Sequence, residues 1–264
     1  MSVYICAPFE RNGSIAQLVQ SICLTSRGSQ VRILLLPQKS PNGDFFLHMT
    51  STTPLQIGFH QFELHPLRAL WWAHNSTLIC ADVHIGKGAH FRQSGIPIPK
   101  SVNASNLWNL VILIERFRPN RILFLGDLFH SRVNSEWEEL TDFFAQFPEI
   151  EKILLKGNHE IEINNEYEKR GFTVLPSLAI DDFVFIHEAP EHTLDNTYTI
   201  CGHIHPAVRL SGQANQNLRL PCFWFGEKIG VLPAFGEFTG HHTVQPKKGD
   251  RVFVIAENRV VPVY

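Results

Sequence analysis

Seven side chains in this sequence have types that hold metal ions, and each follows a short apolar run. Thr77 to Ala81 precedes Asp82-Val83-His84, and Arg121 to Leu125 precedes Gly126-Asp127. Ile153 to Leu155 precedes Gly157-Asn158-His159-Glu160, and Phe183 to Ile186 precedes His187. Tyr198 to Cys201 precedes Gly202-His203-Ile204-His205. The donors are carboxylate and amide oxygens mixed with imidazole nitrogens. That mixture suits borderline divalent ions such as manganese, iron or zinc better than calcium or an all-thiolate zinc site. Asp82, His84, Asp127, Asn158, His187, His203 and His205 exceed what one tetrahedral ion takes. Two ions about 3.5–4 Å apart that share a carboxylate would use all of them, with Asp127 the natural bridge. Glycines at 126, 157 and 202 would allow tight turns that aim these groups inward. Taken singly, an Asp-x-His is ordinarily a surface loop, and a strand-end histidine such as His187 is ordinarily packed core. Only Gly-His-x-His is moderately specific alone. The expectation of a site rests on the joint pattern.

The elements that must position these residues are readable from periodicity. The apolar runs named above are continuous, as in buried strands. Ile57 to Leu64 and Leu67 to Trp72 alternate as short strands. A helix is expected from Ser101 or Asn103, with Leu107, Leu110, Val111, Ile114 and Phe117 on one face and Pro119 stopping it. A second is expected over Ser135 to Phe147. A hairpin of Val208 to Leu210 with Leu218 to Phe225, and another of Arg251 to Ile255 with Val260 to Val263, complete a β-rich end. Strands alternating with helices point to a layered α/β fold, in which ligands bind beyond the carboxyl ends of the strands.

Composition narrows the class. The chain has 264 residues, 44% hydrophobic and 18% charged, with a formal net charge of −2. It is a globular composition without the charge of a basic nucleic-acid coat. The five cysteines are odd in number and unpaired in spacing, as expected of reduced thiols in a cytoplasmic protein. Cys80 and Cys201 sit in apolar runs and read as small buried hydrophobes. Neither a membrane span nor a signal peptide is evident. Residues 1–48 are unlike the rest and are expected to be a spurious or disordered extension, with 49–264 as a single domain and Met49 as the start. One back-translation of Ala16 to Ser21, Cys23 to Ser26 and Gln30 to Ile33 resembles, in order, the D, anticodon and T arms of a bacterial transfer-RNA gene.

The motif series Asp-x-His, Gly-Asp, Gly-Asn-His, His and Gly-His-x-His resembles that of the calcineurin-like metallophosphoesterase superfamily, over nearly all of residues 57 to 264. The resemblance implies a central β-sandwich flanked by helices. It implies that Asp82, His84 and His205 hold one metal, that Asn158, His187 and His203 hold the other, and that Asp127 holds both. His159 would be no ligand but a general acid or charge stabiliser at the scissile phosphate. A narrower likeness is to the bacterial ligase-associated phosphoesterases, identified as DNA-damage-response endonucleases. It is carried by Leu67 to Trp72, Ala81 to Lys87, Phe91-Arg92, Gly95 to Pro99, Leu220 to Gly226 and Leu232 to Gly236. Glu160 departs from that group's usual aspartate at a position that is not a ligand. This likeness implies a DNA substrate, two manganese ions (iron or zinc in their place) and association with an ATP-dependent ligase, a nuclease and a helicase. Lys87, Arg92, His130 and Arg132 follow ligand motifs and are candidate substrate contacts. His90, His241 and His242 have no assigned role. The competing expectations are a phosphomonoesterase or nucleotide phosphodiesterase on the same site, and a non-catalytic scaffold. The scaffolds of this fold lack the motif histidine that His159 supplies here.

Overall fold

Apolar alternation over the first described segment folds back on itself where the sequence pattern reads as one strand. β1 (Thr53–Ile57) and β2 (His60–His65) pair antiparallel, with Ile57 opposite His60. Gly58-Phe59 is therefore a two-residue turn, with Gly58 at φ 57° in the left-handed region. The computed structural model describes residues 51–86, 101–129, 135–158, 164–193, 195–211, 217–236 and 239–263. The expected extension over residues 1–48, and Met49, lie outside them.

The chain continues through β3 (Ala69–Trp72) and β4 (Thr77–Cys80), and then α1 (Ser101–Phe117) leads to β5 (Arg121–Phe124). α2 (Ser135–Phe144) leads to β6 (Glu151–Leu155), and a single-turn α3 (Asn164–Glu168) leads to β7 (Phe172–Leu175). These seven strands form one sheet in sequence order. β1 to β4 pair antiparallel, and β4 to β7 pair parallel across the helical crossovers. α1 starts at Ser101, within the expected range. It ends on Arg118, at φ 47°, whose N–H donates to Ile114 O at 2.7 Å. A left-handed residue thus closes the helix just before Pro119. α2 is a turn shorter than the periodicity suggests. Its Phe144 meets Phe124 edge-on, and Phe117 of α1 stacks on Trp71, so both helices lie on the outer face of this sheet.

The second sheet holds β8 (Ser177–Ile180), β9 (Phe183–Ile186), β10 (Tyr198–Cys201), β11 (Pro206–Ser211), β12 (Asn217–Phe225), β13 (Ile229–Val231), β14 (His242–Thr243), β15 (Arg251–Ala256) and β16 (Arg259–Pro262). Its main order is β14-β11-β12-β13-β10-β9-β8, with β15 paired to β12 and β16 to β15. One apolar core draws on both sheets. Leu64, Leu70, Trp72, Ile79, Leu123 and Leu155 come from the first, and Phe183, Phe185, Ile200, Phe223, Phe225 and Phe253 from the second. Leu123 and Leu125 face this core while Phe124 faces the helices. That two-sided cover is why β5 reads as a continuous apolar run. The result is a β-sandwich with its described long helices on the outer face of the first sheet. Among the described residues, no helix is long and apolar enough to cross a membrane.

Candidate metal centre

The two sheets meet at one end of the sandwich, where backbone links weld their loops together. Ala81 and Ala234 form a parallel bridge, and Phe235 N–H donates to Ala81 O at 2.8 Å. The loops after β4 and β5 run side by side. His84 N–H donates to Asp127 O and Ile85 N–H to Leu128 O, each at 2.9 Å. From α1, the buried Asn106 donates through Nδ2 to Val83 O at 3.1 Å. Gly202 N–H donates to His187 O at 2.9 Å, which ties the ends of β9 and β10.

Two groups of possible metal ligands result: Asp82, His84 and His205, and Asp127, His187 and His203. In each, the donor atoms lie within 4.8 Å of one another. Asp127 faces both groups, with Oδ2 3.9 Å from His84 Nε2 and Oδ1 3.7 Å from His187 Nε2. Asp82, His84, Asp127 and His187 are buried, and His203 and His205 are partly open.

The hydrogen bonds fix which ring nitrogens face inward. A carbonyl oxygen only accepts, so His187 Nδ1 donates to Leu125 O at 2.8 Å, and His205 Nδ1 donates to Gly240 O at 2.9 Å. In the neutral rings Nε2 is then a lone pair. His187 Nε2 lies 3.1 Å from His203 Nδ1, and His205 Nε2 lies 3.4 Å from His84 Nε2 and 3.2 Å from Asp82 Oδ1. Asp82 Oδ2 accepts from His203 N–H at 2.9 Å, but Asp82 Oδ1 is buried with no hydrogen-bond donor. His205 Nε2 and Asp82 Oδ1 are thus a lone pair and a carboxylate oxygen 3.2 Å apart, and a cation between them would satisfy both. The donor set therefore fits divalent metal. The backbone carbonyls behind His187 and His205 are the outer partners that orient such ligands.

Five of these six residues adopt left-handed backbone: Asp82 (φ 52°), His84 (49°), Asp127 (47°), His203 (69°) and His205 (49°). Non-glycine residues rarely do so, and such strain concentrates at functional sites. Of the three glycines expected to turn, Gly126 has φ 78°. A Cβ there would also fall on the His187 imidazole. Gly202 is outside the positive-φ set and serves by size alone, because its Cβ would stand 2.5 Å from Asp82 Oδ2.

The other expected residues divide. Asn158 is exposed, three residues past β6. His159, Lys87, Arg92, His130, Arg132 and His90 lie outside the described residues, as do Cys6 and Cys23. Cys80, Cys201 and Cys222 are free and buried, and burial pushes all three thiols up, Cys201 and Cys222 to about 12. Pattern reading missed Asn106 and Gly240, which touch the ligand-bearing loops only through the backbone or from it, so their types carried no signal. It also left His241 unplaced. That residue stands beside His205, and burial, then the charges of Arg68, Arg219 and His205, lower its pKa.

A two-sheet sandwich with paired carboxylate–histidine groups where its sheets meet defines a metal-dependent hydrolase. The chain belongs to the calcineurin-like phosphoesterase family, whose model matches residues 76–250. It is a metal-dependent phosphoesterase. Among solved structures it is similar to Pseudomonas putida nuclease MPE, at 25% identity and a TM-score of 0.68, over 81% of this chain and 100% of that one. Yfce, a phosphoesterase from E. coli, aligns at 10% identity and a TM-score of 0.37, over 68% of this chain and 87% of that one. No curated protein matches the chain.

Proposed function

We propose that the protein is a phosphodiesterase acting on DNA, an endonuclease of the ligase-associated repair group. The observation that carries this reading is the likeness to a nuclease over that nuclease's whole length, at a site with two metal groups. Asp82, His84 and His205 would hold one ion, and Asn158, His187 and His203 the other. Asp127 faces residues of both groups and would serve both ions. Manganese is the expected occupant, with iron or zinc as substitutes. Divalent ions bound there supply Lewis acidity that polarises phosphoryl oxygens and makes water acidic. The chain's own contribution is orientation. Leu125 O and Gly240 O hold the His187 and His205 rings with Nε2 inward, and the His203 N–H holds Asp82. His159, next to Asn158 in sequence, is the proton donor to the leaving oxygen. Lys87, Arg92, His130 and Arg132 are backbone contacts for the nucleic acid. Association with a ligase, a nuclease and a helicase in the cytoplasm belongs to the same reading.

The test is to incubate the protein, with manganese and with chelator, against single-stranded DNA, a diester chromogen and a monoester chromogen. Cleavage of DNA and diester that depends on manganese is expected. Turnover of the monoester alone would remove the nuclease reading and leave a phosphomonoesterase.

A further inference from the structure

β11 leaves the metal centre directly after His205 and pairs with β12 in a register that sets Arg209 opposite Arg219. Directly opposed residues on antiparallel strands project from the same face with their Cβ atoms about 5 Å apart, and like charges so placed repel. Both arginines are exposed, and among the described residues neither has a carboxylate or hydrogen-bond partner. The sequence between the two strands, residues 212–216, contains no acid. The face is the inner one. Ala207 and Pro221 are the next pair along it, and Phe223, two residues further, belongs to the core between the sheets. Val208, Leu210, Leu220 and Cys222 point to the opposite side, into a separate apolar cluster. The arginine pair therefore extends the inner face past the end of the core, on the side of the metal groups.

His241 connects the pair to those groups. Gly240 O accepts from His205, and His242 N–H donates to His205 O at 3.0 Å, so His241 is held against the ligand-bearing turn. Arg219 and Arg68 act on it electrostatically. Its Nδ1 is buried with no hydrogen-bond partner among the described residues. A repulsive, exposed cation pair is a cost that an anion would remove.

We propose that Arg209 and Arg219, with His241 between them and the His205 turn, form a ledge whose arginines bind the phosphodiester backbone of a nucleic-acid strand beside the scissile phosphate. The proposal rests on the phosphodiesterase reading. A monoester brings one phosphate, which the metal groups take. A cationic ledge beside them has something to hold only when the substrate carries further phosphates. Arginine suits this because its fork meets phosphate oxygens in pairs.

The test is fluorescence anisotropy with a labelled twenty-nucleotide thymidylate strand in chelator, so that no cleavage occurs. Arg209→Ala/Arg219→Ala is expected to weaken binding roughly tenfold at low salt and to lower the slope of log affinity against log salt by about 1.4, the value for two lost phosphate contacts on a single strand. Lysine at both positions should restore most of that slope. Lys169→Ala/Arg259→Ala, which removes the same charge from exposed positions elsewhere, should leave binding unchanged. No binding by the natural protein, or equal loss in both double variants, overturns the ledge. Binding with the expected slope but no cleavage of DNA under manganese overturns the nuclease reading and leaves the ledge standing.

Discussion

The left-handed backbone at Asp82, His84, Asp127, His203 and His205 costs about 1 kcal/mol or more at each residue. No pattern of side-chain types announces it. It is held by the loop hydrogen bonds and by the two glycines, and Gly126 allows a clean test. Gly126 and Gly171 share φ 78°, but a Cβ on Gly171 meets nothing closer than the Lys152 side chain at 3.9 Å, whereas one on Gly126 falls on the His187 ring. Gly171→Ala is expected to cost about 1–2 kcal/mol in urea unfolding from backbone strain alone and to keep turnover. Gly126→Ala should cost more and lower turnover on a diester by at least about a hundredfold, because a ligand moved by about 1 Å leaves its geometry. Equal effects in the two variants would show that the His187 position does not matter. His65 offers a second test. It is fully buried against Phe117, Leu67 N–H donates to its Nδ1 at 3.1 Å, and burial, with the Arg116 charge, lowers its pKa to about 3. The unfolded chain binds this proton near pH 6.5 and the folded one refuses it. The contribution is therefore complete above about pH 6.5 and is lost as pH falls toward 3, by up to about 1.4 kcal/mol per pH unit. His65→Asn keeps an acceptor for Leu67 N–H and removes the titration. The difference in unfolding free energy between the two proteins should shrink by about 1 kcal/mol between pH 6 and pH 5.

Elements were legible where both faces are buried. β4, β5, β9 and β10 appear within a residue of their apolar runs, because strands packed on both faces are built mostly from apolar residues. β7 and β8 were not legible. β7 buries only Phe172 fully, and β8 alternates between exposed and half-buried, so Ser177-Leu178-Ala179-Ile180 has little to distinguish it from a loop. The Gly58-Phe59 turn was hidden because a Gly-first turn needs only one special residue. Asn106 shows how an element reaches the site without a motif. It lies on α1, 23 positions from the carbonyl it holds. Asn106→Ala should leave Val83 O buried without its side-chain donor, at a cost of about 1–3 kcal/mol, and should weaken manganese binding measured by calorimetry. Unchanged affinity would confine Asn106 to stability. The opposed arginines of β11 and β12 predict the reverse sign. Arg219→Thr removes a like-charge pair at an exposed strand position and should raise stability by a few tenths of a kcal/mol in low salt, with the gain vanishing at high salt.

At the scale of the molecule, the candidate site joins the two sheets. Asp82 and His84 follow β4 and Asp127 follows β5 in the first sheet, while His187, His203 and His205 follow β9 and β10 in the second. Each metal group takes residues from both sheets. The motif order could suggest one site but could not reveal this, because strand order within two separate sheets is not written in side-chain types. The consequence is thermodynamic. Ions that bind these groups bind only the folded arrangement, and each would pin the sheets to one another. Asp82 Oδ1, from the first sheet, is buried without a donor and lies 3.2 Å from His205 Nε2, from the second. At a free manganese concentration about a thousandfold above its dissociation constant, one ion adds about 4 kcal/mol to the unfolding free energy. For a chain of this size that corresponds to a rise in Tm of about 8–16 °C. Chelator should reverse it. Asp127→Ala faces both groups and should remove nearly all of the manganese-dependent rise, while His84→Ala should remove part of it. A Tm that does not respond to manganese or to chelator would mean that the two sheets are joined by their backbone bridges alone, and that the six side chains do not hold metal.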